Sequence, residues 1–147
     1  MSIAMRMSAY PLAEVIEVTS EGTASIDLMD IPAGTLIEKV LSRTKTAAVH
    51  SGAVTFTVGD DDNSAAFLAA ADATAAASTI YGDIVAEQGT SMKETVTDSA
   101  GTNTHSQPVA GKLYSTAGKE VKFKMNAVPA TSEGVYQVMV IGKRYDV

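Results

Sequence analysis

Polar and apolar side chains alternate most cleanly toward the C-terminal end of the chain. Val121, Phe123, Met125 and Ala127 point one way while Glu120, Lys122, Lys124 and Asn126 point the other, the period of a half-buried strand. From Val135 to Tyr145, Tyr136, Val138 and Val140 oppose Val135, Gln137, Met139 and Ile141. A segment apolar on both faces belongs at the centre of a sheet or at a contact between subunits. Val54, Phe56 and Val58 alternate with Thr55 and Thr57 in a strand predicted over 49–58. Over 23–30, Ala24, Ile26 and Leu28 oppose Ser25, Asp27 and Met29. Residues 35–46 carry a helix-like spacing of Leu36, Ile37, Val40 and Leu41, but their β-branched content and the turn through Pro32 and Gly34 favour a strand. Val, Ile and Thr suit 12–19 to a short edge strand, with an extended loop as the alternative. Further strands are expected over 80–85 and 109–114.

Three stretches break the alternation. Ala65 to Ala77 is nearly all Ala, the best helix former, and the Asp, Asn and Ser before it could cap a first turn, so a short helical insertion is expected. Residues 86–107 are rich in Thr, Ser, Gly and Asn and form a long polar excursion, with a hairpin around 93–97. Residues 1–11, with Met1, Met5, Arg6, Met7, Tyr10 and Pro11, show no period and are expected to form an N-terminal arm that orders on a partner. Residues 12–147 then make one domain. Short strands, frequent turn signals and a single helical insertion predict an all-β fold, an antiparallel β-sandwich of jelly-roll type.

Composition narrows the function classes. A length of 147 residues fits one domain. Eleven Lys and Arg against seventeen Asp and Glu leave a net charge of −6, which disfavours nucleic acid and anionic membranes as partners. No Cys is present, so disulfides, thiolate catalysis and zinc–thiolate sites are excluded. No apolar run reaches bilayer length and the first residues lack a secretory pattern, so synthesis and residence in a cytoplasm are expected. With 5% aromatics and no Trp, the core has few large anchors, and contacts with other subunits are expected to add stability.

Candidate chemistry is sparse. Asp60, Asp61 and Asp62, followed by Asn63, are hard oxygen donors of the kind Ca²⁺ takes, but the EF-hand spacing and its closing Glu are missing. A solvated turn explains the cluster as well, so no metal or other cofactor is assigned. His50 and His105 stand in separate polar surroundings without a nucleophile motif, and the glycines form no phosphate loop; no enzyme is expected. Lys112, Lys119, Lys122, Lys124, Lys143 and Arg144 concentrate positive charge in the last third of the chain. This tract is either the solvated face of two strands or a surface that docks on an acidic neighbour.

Several motifs carry a family resemblance. Asp30-Ile31-Pro32-Ala33-Gly34-Thr35-Leu36-Ile37, then Ala53-Val54-Thr55-Phe56-Thr57-Val58-Gly59-Asp60 with Phe67-Leu68 close behind, then Gly111-Lys112-Leu113-Tyr114 before an alternating strand, occur in that order. The pattern resembles small virion structural proteins of tailed bacteriophages, over roughly residues 23–145. The resemblance implies a non-enzymatic capsid decoration or cement protein, made in the host cytoplasm and placed on the outer surface of the virion's head. Its partners would be the major capsid protein and further copies of itself, as a dimer or trimer. Contacts would come from the arm (Met1, Met5, Arg6, Met7, Tyr10) and the basic residues Lys122, Lys124, Lys143 and Arg144. A head–tail or tail-associated virion protein shares these features. A carbohydrate-binding β-sandwich is the alternative from another class, although no Trp is present to stack on a sugar ring.

Overall fold

Strand pairing, with no α-helix among the described residues, organises the computed structural model, which describes residues 8–128 and 132–145. Eleven strands run in chain order: β1 Ala9–Thr19, β2 Ile26–Ile31, β3 Thr35–Thr46, β4 Thr55–Gly59, β5 Leu68–Asp72, β6 Ile80–Tyr81, β7 Lys93–Thr97, β8 Thr104–Pro108, β9 Lys112–Tyr114, β10 Lys119–Met125 and β11 Val135–Tyr145. A 3-10 turn at Val85–Glu87 follows β6. Every pairing between strands is antiparallel.

Two sheets face each other. Sheet A has the order β1-β11-β3-β6, and β9 shares with β6 the far edge of β3. Sheet B has the order β2-β10-β4-β5, and β7 pairs with β8 in a separate ribbon. The doubly apolar segment 135–145 is the central strand β11, held between β1 and β3. A bulge lies where Ile141 and Gly142 meet β3. There a Cβ on Gly142 would fall 1.9 Å from the Leu36 carbonyl oxygen, so only glycine lets the strands close.

Alternation sends Tyr136, Val138 and Val140 of β11 and Ile37 and Val40 of β3 inward from sheet A. Val121, Phe123 and Met125 of β10 and Phe56 and Val58 of β4 meet them from sheet B. The centre is aromatic despite the low aromatic content: Tyr136 lies 4.6 Å from Phe56 and 5.7 Å from Phe123, and those two rings stack at 5.0 Å. The Tyr136 hydroxyl donates to the Ala73 carbonyl at 2.7 Å, which satisfies its polar end inside the core.

Three expectations change. The Ala-rich helical insertion is absent: Leu68–Asp72 is β5, paired with β4, and Ala66, Phe67, Leu68, Ala71 and Ala73 are buried. Helix propensity is worth only tenths of a kcal/mol per residue, and here the backbone gains a strand partner while Phe67 and Leu68 reach the core. Part of the segment 1–11 expected to form an arm is strand, because Ala9, Tyr10 and Pro11 pair with Tyr145, Arg144 and Lys143. Met1, Met5, Arg6 and Met7 lie outside the described residues. The strand expected over 80–85 contracts to two residues, since Gly82 turns the chain with φ +96°.

Candidate functional site

The acidic loop after β4 is built around a buried carboxylate. A Cβ on Gly59 would fall 2.0 Å from the Asn63 carbonyl oxygen, so glycine lets the chain fold back at once and carries Asp60 inward. Asp60 Oδ1 accepts the amides of Asp62 and Asn63 at 3.0 and 2.9 Å. Asp60 Oδ2 accepts Lys112 Nζ at 2.5 Å and the Tyr114 hydroxyl. Lys112 and Tyr114 are alternate residues of β9, whose partner is β3, so one side chain fastens the end of sheet B to the edge of sheet A. The Lys112 ammonium also lies 5.1 Å from the Tyr114 ring centre, and Phe67 packs edge-on against that ring.

The neighbouring acids face other partners. Asp61 accepts the Glu120 amide at 2.8 Å and pairs with Lys122 at 3.3 Å, while Asp62 pairs with Lys119 at 2.7 Å. The three carboxylates Asp60, Asp61 and Asp62, weighed as cation ligands and left unassigned, are thus each engaged by a lysine and diverge. Among the described residues no group of three acidic or histidine side chains is placed to hold a metal.

Burial pushes the Asp60 carboxyl upward, but Lys112, Tyr114 and the Asn63 amide outweigh it and hold the group below its ordinary 3.8. Burial and the Asp60 charge together drive the Tyr114 hydroxyl upward, so it stays a donor. A carboxyl lowered by folding stabilises fully above its unfolded value and loses that contribution as pH falls through the folded one. The melting temperature should therefore hold from neutrality to about pH 5 and fall below about pH 4. Asp60→Asn should flatten that acid limb in thermal melts recorded by circular dichroism, and an unchanged limb would remove Asp60 from the explanation.

The basic tract does not form one face. Lys122 stands among Asp27 at 2.6 Å, Glu120 at 3.2 Å and Asp61, which raise its pKa in that order of Asp27 first. Lys124 is exposed on the outer side of sheet B. Lys143, paired with Glu38 at 3.3 Å, and the exposed Arg144 end β11 in sheet A. Tyr10, 54% exposed, lies opposite Arg144. The structure thus brings Tyr10, Lys143 and Arg144 to one corner and separates them from Lys122 and Lys124. His50 Nδ1 accepts the Gly52 amide at 2.8 Å, and His105 is exposed on β8. Tyr114 and Tyr136 are in the core, so neither serves as a sugar-stacking platform.

The outer sides of the two sheets differ. Sheet B presents Asp27, Asp30, Thr57, Glu120, Lys122 and Lys124. Sheet A presents Ala13, Val15, Leu41, Ile80, Met139 and Ile141, with Val15 and Ile80 more than half exposed. Val15, Leu41, Arg43, Ile80, Gln137 and Met139 surround a depression of about 130 Å³. Sequence reasoning placed 135–145, with Met139 and Ile141, at a sheet centre or a contact between subunits, and named none of Ala13, Val15, Leu41 and Ile80 as a contact.

The sequence matches no protein-family model, and no curated protein is significantly similar to it. Among solved structures, a chain of the acid-stable capsid of Helicobacter pylori bacteriophage KHP30 aligns at 13% identity over 95% of this chain and 99% of that one, with a TM-score of 0.47. A chain of the capsid asymmetric unit of cyanophage Pam1 aligns at 14% identity over 99% of this chain and 91% of that one, with a TM-score of 0.58, so this chain shares the fold of that chain.

Proposed function

We propose that this chain is a non-enzymatic structural protein of a bacteriophage virion, of the capsid decoration or cement type, which binds the outside of the head and stabilises the major-capsid lattice. The observation that carries this reading is the fold likeness to a chain of the cyanophage Pam1 capsid asymmetric unit. The strand order supports the jelly-roll form of the sandwich. Without the β7–β8 ribbon and β9, eight strands stand first-eighth-third-sixth in sheet A and second-seventh-fourth-fifth in sheet B, as two interlocked Greek keys do.

The task is mechanical. A subunit that bridges neighbouring capsid proteins, and touches the expanded lattice at more points than the unexpanded one, shifts the equilibrium toward expansion by its difference in affinity. Repetition around the shell then gives avidity from modest contacts. The corner formed by Tyr10 and Arg144 offers an exposed aromatic and a cation to an acidic lattice surface, beside Lys143, which is already paired with Glu38.

Purified protein mixed with undecorated heads should bind the expanded form at least about tenfold more tightly than the unexpanded form, a difference of about 1.4 kcal/mol. Pelleting assays with both particle types read this directly. Equal affinity would sink the maturation role, and binding to neither would sink the decoration role.

A further inference from the structure

We infer that the free edge of β1 takes up an extended, basic segment of another protein as an added strand. Among the described residues β1 and β2 each have a single strand neighbour, β11 and β10, so each ends its sheet. Both edges lie on one flank of the sandwich. At the opposite flank β6 lies over β5, where a Cβ on Gly82 would come 3.0 Å from Leu68 Cδ1. There residues 82–111 cross between the sheets, with the Gly89, Thr90 and Ser91 amides bonded to the Phe67, Ala65 and Ala66 carbonyls. On the flank of β1 and β2, Leu12, Ile16, Ile26, Leu28 and Met29 touch the core and stay partly open. Strand addition uses an unpaired edge beside apolar side chains: main-chain bonds hold the guest, and side-chain contacts select it.

Charge sets the kind of guest. Residues 7–38 hold both edge strands and carry six acids, Glu14, Glu17, Glu21, Asp27, Asp30 and Glu38, with no Lys or Arg, which equals the net charge of −6 of the whole chain. Lys45, Lys122 and Lys143 pair with Glu17, Asp27 and Glu38, whereas Glu14, Glu21 and Asp30 are exposed and close no ion pair among the described residues. The region thus favours a basic partner over an acidic one. Glu14 sets the register. It shares one side of β1 with Leu12, Ile16 and the buried Val18. An acid at that place, with Pro11 nearby, guards the edge against indiscriminate pairing. It admits a strand that sets a cation opposite Glu14, between apolar residues opposite Leu12 and Ile16. The guest is defined by this chemistry alone, so strand addition and head binding hold or fail separately.

The probe is an end-capped peptide that reads threonine, valine, threonine, lysine, threonine, valine, threonine. At about 5 mM, above a dissociation constant of about 1 mM, it should shift the amide resonances of residues 12–17 and 26–29 in NMR spectra of the isotope-labelled protein. A peptide with glutamate in place of the lysine should bind at least about threefold more weakly, because like charges then lie opposite each other. Glu14→Lys, a change at an exposed position, should invert that preference, which an unfolded variant would not do. Lys124→Glu, on the outer side of sheet B, should leave the preference as it is. The inference is overturned by the absence of shifts at that concentration, by shifts centred elsewhere, by equal binding of the two peptides, or by a preference that Glu14→Lys leaves unchanged. Shifts over 12–17 on concentrating the protein without peptide would put a second copy on the edge and overturn it too.

Discussion

Asp60→Ala should destabilise the protein by about 3–5 kcal/mol, the cost of removing one partner from a buried ion pair. The melting temperature should fall by about 10–15 °C for a chain of this size. The loss is large because Asp60 serves four donors at once: the amides of Asp62 and Asn63, the Tyr114 hydroxyl and the Lys112 ammonium. Truncation strands each of them, and the Tyr114 hydroxyl is deepest. Asp60→Asn should cost less, since an amide oxygen still accepts from the loop amides but its NH₂ opposes Lys112. Differential scanning calorimetry of the three proteins at pH 7 checks the order. A loss under about 1 kcal/mol for the alanine variant, in the range of exposed pairs, would show that the junction is solvated.

Tyr136→Ala should have an effect of similar size by another route. The ring packs against both Phe56 and Phe123, and removing a buried aromatic costs about 3–5 kcal/mol through lost transfer energy and the remaining cavity. Tyr136→Phe keeps the ring and loses only the bond to the Ala73 carbonyl, so about 1 kcal/mol is expected. Urea unfolding separates the two contributions. If Phe cost as much as Ala, the hydroxyl bond would be the main contribution and the aromatic centre a minor one.

Legibility in the sequence followed the range of the interactions. β3, β10 and β11 were readable because alternation is local, and segments 35–46 and 135–145 became strands over their whole predicted length. The strand order was not readable, since register joins residues as distant as Tyr10 and Arg144. The alanine run misled because propensity is a weak local preference, and a strand partner for β4 outweighed it. The Asp60 junction was half visible. Lys112 and Tyr114, two residues apart in a strand, had to share a face, but nothing local tied that face to an acid 52 residues upstream. The basic tract looked like one surface because strand parity sends Lys122 and Lys124 outward together. The Asp27 and Asp61 carboxylates that engage Lys122 arrive from other parts of the chain.

The position of β11 sets an order of events during synthesis. Both β1 and β3 take β11 as their lateral neighbour, and it is the last of the eleven strands among the described residues. Until the ribosome has released Val135–Tyr145, sheet A lacks its middle, and the two strands made earlier display unpaired edges. Such edges are sticky. Productive folding is therefore held back until translation has passed that segment, and a nascent chain stalled before it is the species most exposed to aggregation.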